Sequence, residues 1–573
     1  MANYLFRKKT VDQILSDAEQ SGESGLKKVL GVKDLISLGI AAIVGAGIFS
    51  TIGLASYNGG PAVSLLFVTT AVACVFTALS YAQFASTVPV SGSAYTYAYV
   101  AFGEIAAWVI GWALILEYAV SNMVVAISWS QYFVSMLDGF GIHFPRWLAI
   151  DYSTAHEAFV KVSEHVKDIS QADRVAAVAF ETAPRLGGLA IIFNLPAGLI
   201  TILVTWLCYI GIKESRTASN IMVVLKLAVI AFVIIGGAFY VKPENWIPFA
   251  PNGAKGILSG VAAVFFAFIG FDSISTTAEE CKNPQRDLPK AMIYCLLVCT
   301  ILYVGITLVL TGMVNYKELN VSDPLAFVFS QNGLNFMAGV VSVSSVIAIT
   351  SALLVFQIGQ PRIWMTMSRD GLLWKKFSHI SPKHNTPTFA TIVAGIVVAV
   401  PAFFFKMDFF VDLTSVGTFF AFILVCGGVL YLDHTGLSQQ SKFKVPYING
   451  KYLVGLGLIG AALLLWYTPQ GMEVRHEWSQ LSLNQILEHK LLTIFFWLVW
   501  VGLTIFSFLK NFSLLPVIGI LINLYLMTEL GTSNWKIFII WLLIGLVVYF
   551  GYGKKHSKLG KKTDKPESPT IHE

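Results

Sequence analysis

The chain has 573 residues, 55% of them hydrophobic and only 13% charged, with a formal net charge of +6. A soluble domain carries about 25% charged residues, so this composition excludes a soluble enzyme or binding module and specifies a polytopic membrane protein. The basic excess then reads as membrane topology and not as affinity for nucleic acid.

Residues 1–33 are polar, with no apolar run that would serve as a cleavable signal, and are expected to form a cytoplasmic N-terminal segment. Fourteen apolar stretches near the roughly 20 residues of a span follow. They lie at about 34–56, 62–86, 98–132, 190–211, 219–241, 256–278, 289–314, 335–358, 388–405, 410–431, 452–468, 489–508, 512–529 and 535–552. An even number puts both termini on one side. With that side cytoplasmic, 26 of the 39 Lys and Arg fall in cytoplasmic segments and 12 outside, five of the latter in the long 133–189 loop. The expectation is a multi-pass protein of the cell membrane, inner or plasma, with both termini cytoplasmic.

The first span contains Gly39–Ala55, GIAAIVGAGIFSTIGLA. Glycine costs about 1 kcal/mol against alanine inside a helix, and a spanning helix is interrupted only where the freed backbone groups line a cavity. The Gly45-Ala46-Gly47 cluster therefore reads as a helix broken near the midplane, its free N–H and C=O groups facing a small zwitterion. Small residues that merely allow close helix packing would give the same string. The sixth span, LSGVAAVFFAFIGFDSISTTAEE, repeats the feature at Gly270. Breaks in spans one and six predict two five-helix repeats of opposite orientation, with the substrate between the breaks. In this scheme residues 34–241 form the first repeat, with an extracellular loop at 133–189, and 256–431 the second. Residues 452–552 form peripheral helices, and 553–573 a disordered basic cytoplasmic tail attracted to anionic lipid.

The 133–189 loop contains HEAFVKVSEHVKDISQADRVAAVAFE, which reads as a solvated surface helix. The basic segment 359–387 reads as lying along the membrane surface. The six cysteines avoid the outside loops, so no extracellular disulfide is expected, and no Cys/His cluster suggests a metal.

Charges inside spans are expensive and are candidates for function. Lys226 sits in IMVVLKLAVIAFVII, Glu117 in GWALILEYAVSN, and Asp272 directly after the second break. A structural pairing of Glu117 with a neighbouring helix, or capping of a half-helix by Asp272, fits the same positions.

GAGIF in span one, ILEYAV in span three, the lone lysine of span five, GFDSISTTAEECKNPQRDLP in span six and its loop, SRDGLL after span eight and FKVPYI before span eleven complete a pattern. It resembles the cationic amino acid transporter branch of the amino acid–polyamine–organocation superfamily, from about residue 28 to 552 without the 133–189 loop. The resemblance implies an all-α 5+5 inverted-repeat transport core with extra C-terminal helices. It places the substrate carboxylate at the amides of Ala46 and Gly47, next to Gly45, and the α-amine at carbonyls near Ile43 and of Phe266, Ala267 and Ile269. It draws the side-chain pocket from spans three, six, eight and ten, here Glu117 and Asp272. Lys226 matches the position whose ammonium replaces a sodium ion between spans one, five and eight, with Gly45, Ser344 and Ser345 as candidate partners. Ala46 stands where a hydroxyl residue would help hold the carboxylate, so backbone amides must do more.

The expected function is proton-coupled import of L-amino acids by alternating access, with no cofactor beyond the proton. A sodium-independent exchanger or uniporter, with cationic amino acids as one candidate substrate class, is the alternative on the same fold, and an amino acid sensor a second class. No HExxH, G-x-S-x-G or Walker A pattern points to an enzyme. The expected partners are the amino acid and the bilayer; a small single-span membrane partner would leave no mark on the sequence.

Overall fold

The computed structural model describes residues 6–11, 13–14, 30–90, 93–164, 171–211, 216–321, 323–384, 386–482, 485, 490–530 and 532–563. Most of the N-terminal segment before residue 30 and tail residues 564–573 lie outside them. Among the described residues eight helices are long and apolar enough to cross a membrane, or nine if the bent pair Leu453–Tyr467 and Gly471–Gln480 is one span. Four shorter apolar helices, Leu195–Ile210, Met222–Ala238, Thr388–Phe404 and Leu514–Thr528, accompany them. The protein is thus a helical, multi-pass membrane protein.

The chain enters through α1 (Val32–Ile43), whose start is fixed by Asp34 accepting from the Gly31 amide at 2.9 Å. The helix stops at Val44, where ψ is 87°. It resumes as a π-helical turn, Gly47–Thr51, and continues as α2 (Ile52–Gly59). A long α3 (Val63–Thr87), a short α4 (Ser93–Ala101) and α5 (Glu104–Gly139) follow. The expected third span began at residue 98, but the observed helix begins at 104. Gly103 has φ +98°, a conformation that ends a helix, and it splits α4 from α5.

The loop expected outside carries two antiparallel helices, α6 (Tyr152–Ser163) and α7 (Gln171–Thr182), where one was expected. They pack through their own small apolar clusters, built on Ala155 and Phe180 and on Ala158, Ala176 and Ala177. A two-stranded hairpin, β1 (Arg185–Leu186) and β2 (Leu189–Ala190), leads to α8 (Leu195–Ile210) and α9 (Arg216–Ala238).

The second interruption follows α10 (Val261–Phe266). Residues 267–270 form turns, Gly270 has φ +120°, and a 3₁₀ segment runs Phe271–Glu280. Then come α11 (Pro284–Met313), α12 (Pro324–Gln331), α13 (Asn335–Arg369), α14 (Thr388–Phe404) and α15 (Met407–Thr435). Because α13 continues unbroken to Arg369, the first part of the 359–387 segment is helix within the bundle and not a surface strip.

The C-terminal part comprises α16 (Leu453–Tyr467), α17 (Pro469–Gln480), α18 (Leu491–Lys510), α19 (Leu514–Thr528) and α20 (Thr532–Val548). These helices differ in burial. α16 and α18 face outward along most of their length. By contrast α20 is locked to α5 by a reciprocal pair: Trp112 Nε1 donates to Trp541 O at 2.8 Å, and Trp541 Nε1 to Trp112 O at 2.9 Å. The excursion α16–α18 starts and ends at one place. Gly450 N donates to Phe512 O at 2.9 Å and Leu514 N to Ile448 O at 2.7 Å. The tail, expected as disordered, is helical through Lys554–His556 and Lys558–Thr563, because Ser557 and the backbone of Lys558 bond to the bundle end.

Candidate functional site

The two interruptions cross each other. A Cβ on Gly47 would lie 2.3 Å from Ala267 Cα, and one on Gly270 would lie 2.9 Å from the carbonyl carbon of Ala42. Only glycine permits both approaches, which explains residues that are poor helix formers in an apolar span. Ile43, Gly45, Ala46 and Gly47 on one chain segment and Phe266, Ala267 and Ile269 on the other are all buried. The structure therefore brings these seven positions into one junction.

Lys226 reaches that junction from α9 and is 0% exposed. Its Nζ donates to Ala41 O at 2.9 Å and to Val44 O at 2.8 Å. These carbonyls belong to the end of α1, where the last turn has no intrahelical donor and carries partial negative charge. A cation there satisfies both needs at once. The bonded carbonyls stop one residue short of Gly45. Ser345, a candidate partner of Lys226, has a buried hydroxyl with no hydrogen-bond partner among the described residues, and Ser344 is half-buried. On α13 it is Ala352 that meets Gly45, at 3.1 Å from a Cβ built there. Ser345 lies seven residues earlier, about 10 Å along the helix axis.

Tyr303 on α11 is a junction residue that sequence reasoning missed. Its hydroxyl lies 3.1 Å from Ile43 O and 2.9 Å from Ala267 O, so one side chain ties the two interruptions together. It has one proton to donate and serves one carbonyl at a time. The available signal was one of two tyrosines, Tyr294 and Tyr303, inside the apolar run of span seven. Other side chains hold the surrounding backbone. Thr51 Oγ1 lies 2.8 Å from Gly47 O and 3.1 Å from Ala263 O, and Tyr132 donates to Phe49 O at 2.5 Å. Ser50 and Ser128 hydroxyls bond at 2.5 Å.

Glu117 on α5 and Asp272 after the second interruption are each buried, and Glu117 Oε2 and Asp272 Oδ2 have no hydrogen-bond partner among the described residues. The hydroxyls of Tyr81, Tyr97 and Tyr118 are likewise buried and unpartnered. Tyr81 lies beside the chain segment that carries Asp272. Its ring stands 6.0 Å from that of Tyr97 and 5.9 Å from Phe271. An unsatisfied buried polar group costs about 1–3 kcal/mol, so this group of unpartnered polar atoms is a candidate place for polar groups to enter. The α5 wall is positioned from behind. Ser121 bonds Thr414 at 2.8 Å, Thr414 donates to Glu117 O at 3.0 Å, and Asn122 bonds Gln357, which donates to Thr205 at 2.9 Å.

Comparison with known sequences adds independent information. The amino acid permease family model matches residues 30–484, and a model of the amino acid permease C-terminus matches residues 513–557. The chain is 38% identical to the branched-chain amino acid permease of Bacillus subtilis, over 98% of this chain and 100% of that protein. It is 34% identical to the methylthioribose transporter of the same bacterium, over 97% of this chain and 99% of the relative. It is 31% identical to the vacuolar cationic amino acid transporter 2 of Arabidopsis thaliana, over 97% of this chain and 93% of the relative.

Proposed function

The chain belongs to the amino acid permease family, within the amino acid–polyamine–organocation superfamily, and from that premise we propose that it imports L-amino acids across the cell membrane by proton-coupled alternating access. The observation that carries the coupling is the Lys226 ammonium held on the carbonyls of Ala41 and Val44 at the interrupted end of α1. Charged, it fixes that end. Neutral, it loses the charge-assisted part of both bonds, which is the stronger part. A proton on Lys226 then favours the arrangement of α1 that holds substrate.

In this reading residues 34–241 and 256–431 are the two inverted repeats, and the two interruptions are their midplane breaks. The substrate carboxylate sits at the amides of Ala46 and Gly47, beside Gly45. Its ammonium sits at the carbonyls of Ile43, Phe266, Ala267 and Ile269, displacing the Tyr303 hydroxyl from its alternation between Ile43 and Ala267. These contacts read the α-carbon end alone. Glu117 and Asp272 face the side chain and set its preference. The cargoes for which the relatives are named, branched-chain and cationic amino acids and methylthioribose, share no side-chain charge, so in this reading the preference rests on such local groups. In this reading both termini lie in the cytoplasm, which the distribution of Lys and Arg supports.

The test is uptake into proteoliposomes of a panel of labelled amino acids, without sodium, with and without an inward proton gradient. Accumulation that follows the gradient, and is lost in Lys226→Ala while counterflow or binding persists, is expected. Binding and counterflow with no gradient-driven accumulation in the wild type would replace symport by exchange and make Lys226 a fixed structural cation. If no amino acid binds, the transport reading fails.

A further inference from the structure

One pair of lysines follows α13 in the chain and another follows α20, and the fold sets the two pairs side by side. Gly371 has φ +82°, and a Cβ there would lie 2.3 Å from His556 O. One on Gly553 would lie 3.2 Å from Leu372 O. Lys558 N donates to Asp370 O at 3.0 Å, and Ser557 Oγ donates to Glu104 at 2.5 Å. Residues 553–558 are thus seated on the turn that ends α13. An aromatic row crosses the seam. The rings of Trp374 and Tyr552 stand 5.9 Å apart, and Tyr552 stacks on His556 at 4.0 Å. Trp374 nonetheless stays 52% exposed.

Lys375 and Lys376 flank this row on one side of the seam, Lys554 and Lys555 on the other, and all four are exposed. None of them forms an ion pair among the described residues. The sequence holds no Asp or Glu in 371–407 or in 530–563. The two carboxylates closest to the seam are already engaged. Asp370 accepts from Lys9 and from Tyr95, each at 2.6 Å, and Glu104 accepts from Tyr99 at 3.1 Å and Tyr549 at 2.9 Å. Four like charges gathered on fixed backbone repel one another, and an anion between them relieves that cost.

The position of the patch favours a lipid over a soluble anion. Asn335–Arg369 and Thr532–His556 are both long and apolar enough to span the bilayer, so the lysines sit where the apolar interior gives way to headgroups, the level at which an exposed tryptophan is at home. On the last span Ile540, Leu543, Val547 and Phe550 are 46–72% exposed. Their three-and-four spacing marks one helix face, and Lys554 continues it. An acyl chain laid along that stripe brings its headgroup to the lysines, whereas a soluble phosphate would use the charge and leave the stripe without a role. We infer that Lys375, Lys376, Lys554 and Lys555, with Trp374, form a binding site for one anionic phospholipid, which clasps the C-terminal segment to the end of α13. The site lies outside the transport junction and does not depend on which solute is carried.

The experiment counts phosphatidylglycerol retained by the full chain in native mass spectra from a nonionic detergent, with phosphatidylcholine of the same acyl chains as the control without net charge. Three double variants are compared with wild type: Lys375→Gln with Lys376→Gln, Lys554→Gln with Lys555→Gln, and Lys442→Gln with Lys444→Gln, the last from the exposed lysines of the FKVPYI stretch. Wild type is expected to retain one phosphatidylglycerol in preference to phosphatidylcholine. Each of the first two variants is expected to weaken that retention about ten-fold or more, from the usual worth of a basic residue against an anionic membrane, and the third to keep it. Loss in only one of the first two overturns the composite site. Equal retention of the two lipids, or as large a loss in the third variant, reduces the effect to diffuse charge and overturns it as well. Glycerol 3-phosphate added in the same molar excess is expected to leave the lipid in place; displacement would make this a soluble-phosphate site and overturn the lipid assignment. All the substituted side chains are exposed, so thermal melting in phosphatidylcholine is expected to match wild type, and phosphatidylglycerol to raise it less in the first two variants than in wild type.

Discussion

Single residues in this molecule are informative where their chemistry conflicts with an apolar span. Lys226, Glu117 and Asp272 stand out in the sequence for that reason, and all three prove to be buried within the helical bundle. Tyr303 does not conflict: a tyrosine passes in a lipid-spanning string, and only the fold shows its hydroxyl between two interruptions. Tyr303→Phe leaves both Ile43 O and Ala267 O without this donor, at a cost of about 1–3 kcal/mol. A substrate ammonium would supply donors in its place. The variant is therefore expected to melt lower when empty and to gain more stability than wild type from saturating amino acid. Equal ligand-induced shifts in thermal melting would remove Tyr303 from the amine site. Glu117→Gln and Asp272→Asn are expected to keep amino acid binding and change the ranking of side chains across a competition panel. An unchanged ranking in both would take those carboxyl groups out of the pocket. Ser344 and Ser345 were legible only as hydroxyls on the expected helix; which turn of α13 meets α1 depends on packing that periodicity does not encode.

At the scale of elements, the existence of helices was readable from apolar run length, and their ends were readable only where a glycine or proline was decisive. Gly103 moved the start of α5 because its backbone conformation is incompatible with continuing α4. The 133–189 loop read as one helix since its charged string is continuous, but its apolar faces need each other. Ala155, Phe159 and Phe180 make a layer that a lone helix in water would leave exposed. Asp151 begins α6 by accepting from the Thr154 amide at 2.9 Å and its hydroxyl at 2.7 Å. Asp151→Ala is expected to cost about 1 kcal/mol of local stability, raising hydrogen exchange across α6 while leaving uptake unchanged. If uptake falls as well, the hairpin of α6 and α7 takes part in the cycle.

For the whole molecule, composition fixed the membrane class and the ordered motifs fixed the family, whereas the meeting of both terminal segments on Asp370 and Glu104 was invisible, because it joins residues more than 350 positions apart. The outward-facing excursion α16–α18 is a separate matter. Excising residues 452–510 and closing the gap with a short glycine linker is expected to leave a folded protein that still binds amino acid, since α19 and α20 keep their contacts with α15 and α5. Loss of binding on excision would make those helices part of the core. The backbone bridge at residues 448–450 and 512–514 gives the excursion the geometry of a detachable flange. α16 and α18 are exposed along most of their length, so in a bilayer their length and composition would be free to follow its thickness. The same transport core can then be fitted to membranes of different thickness by redrawing that flange alone.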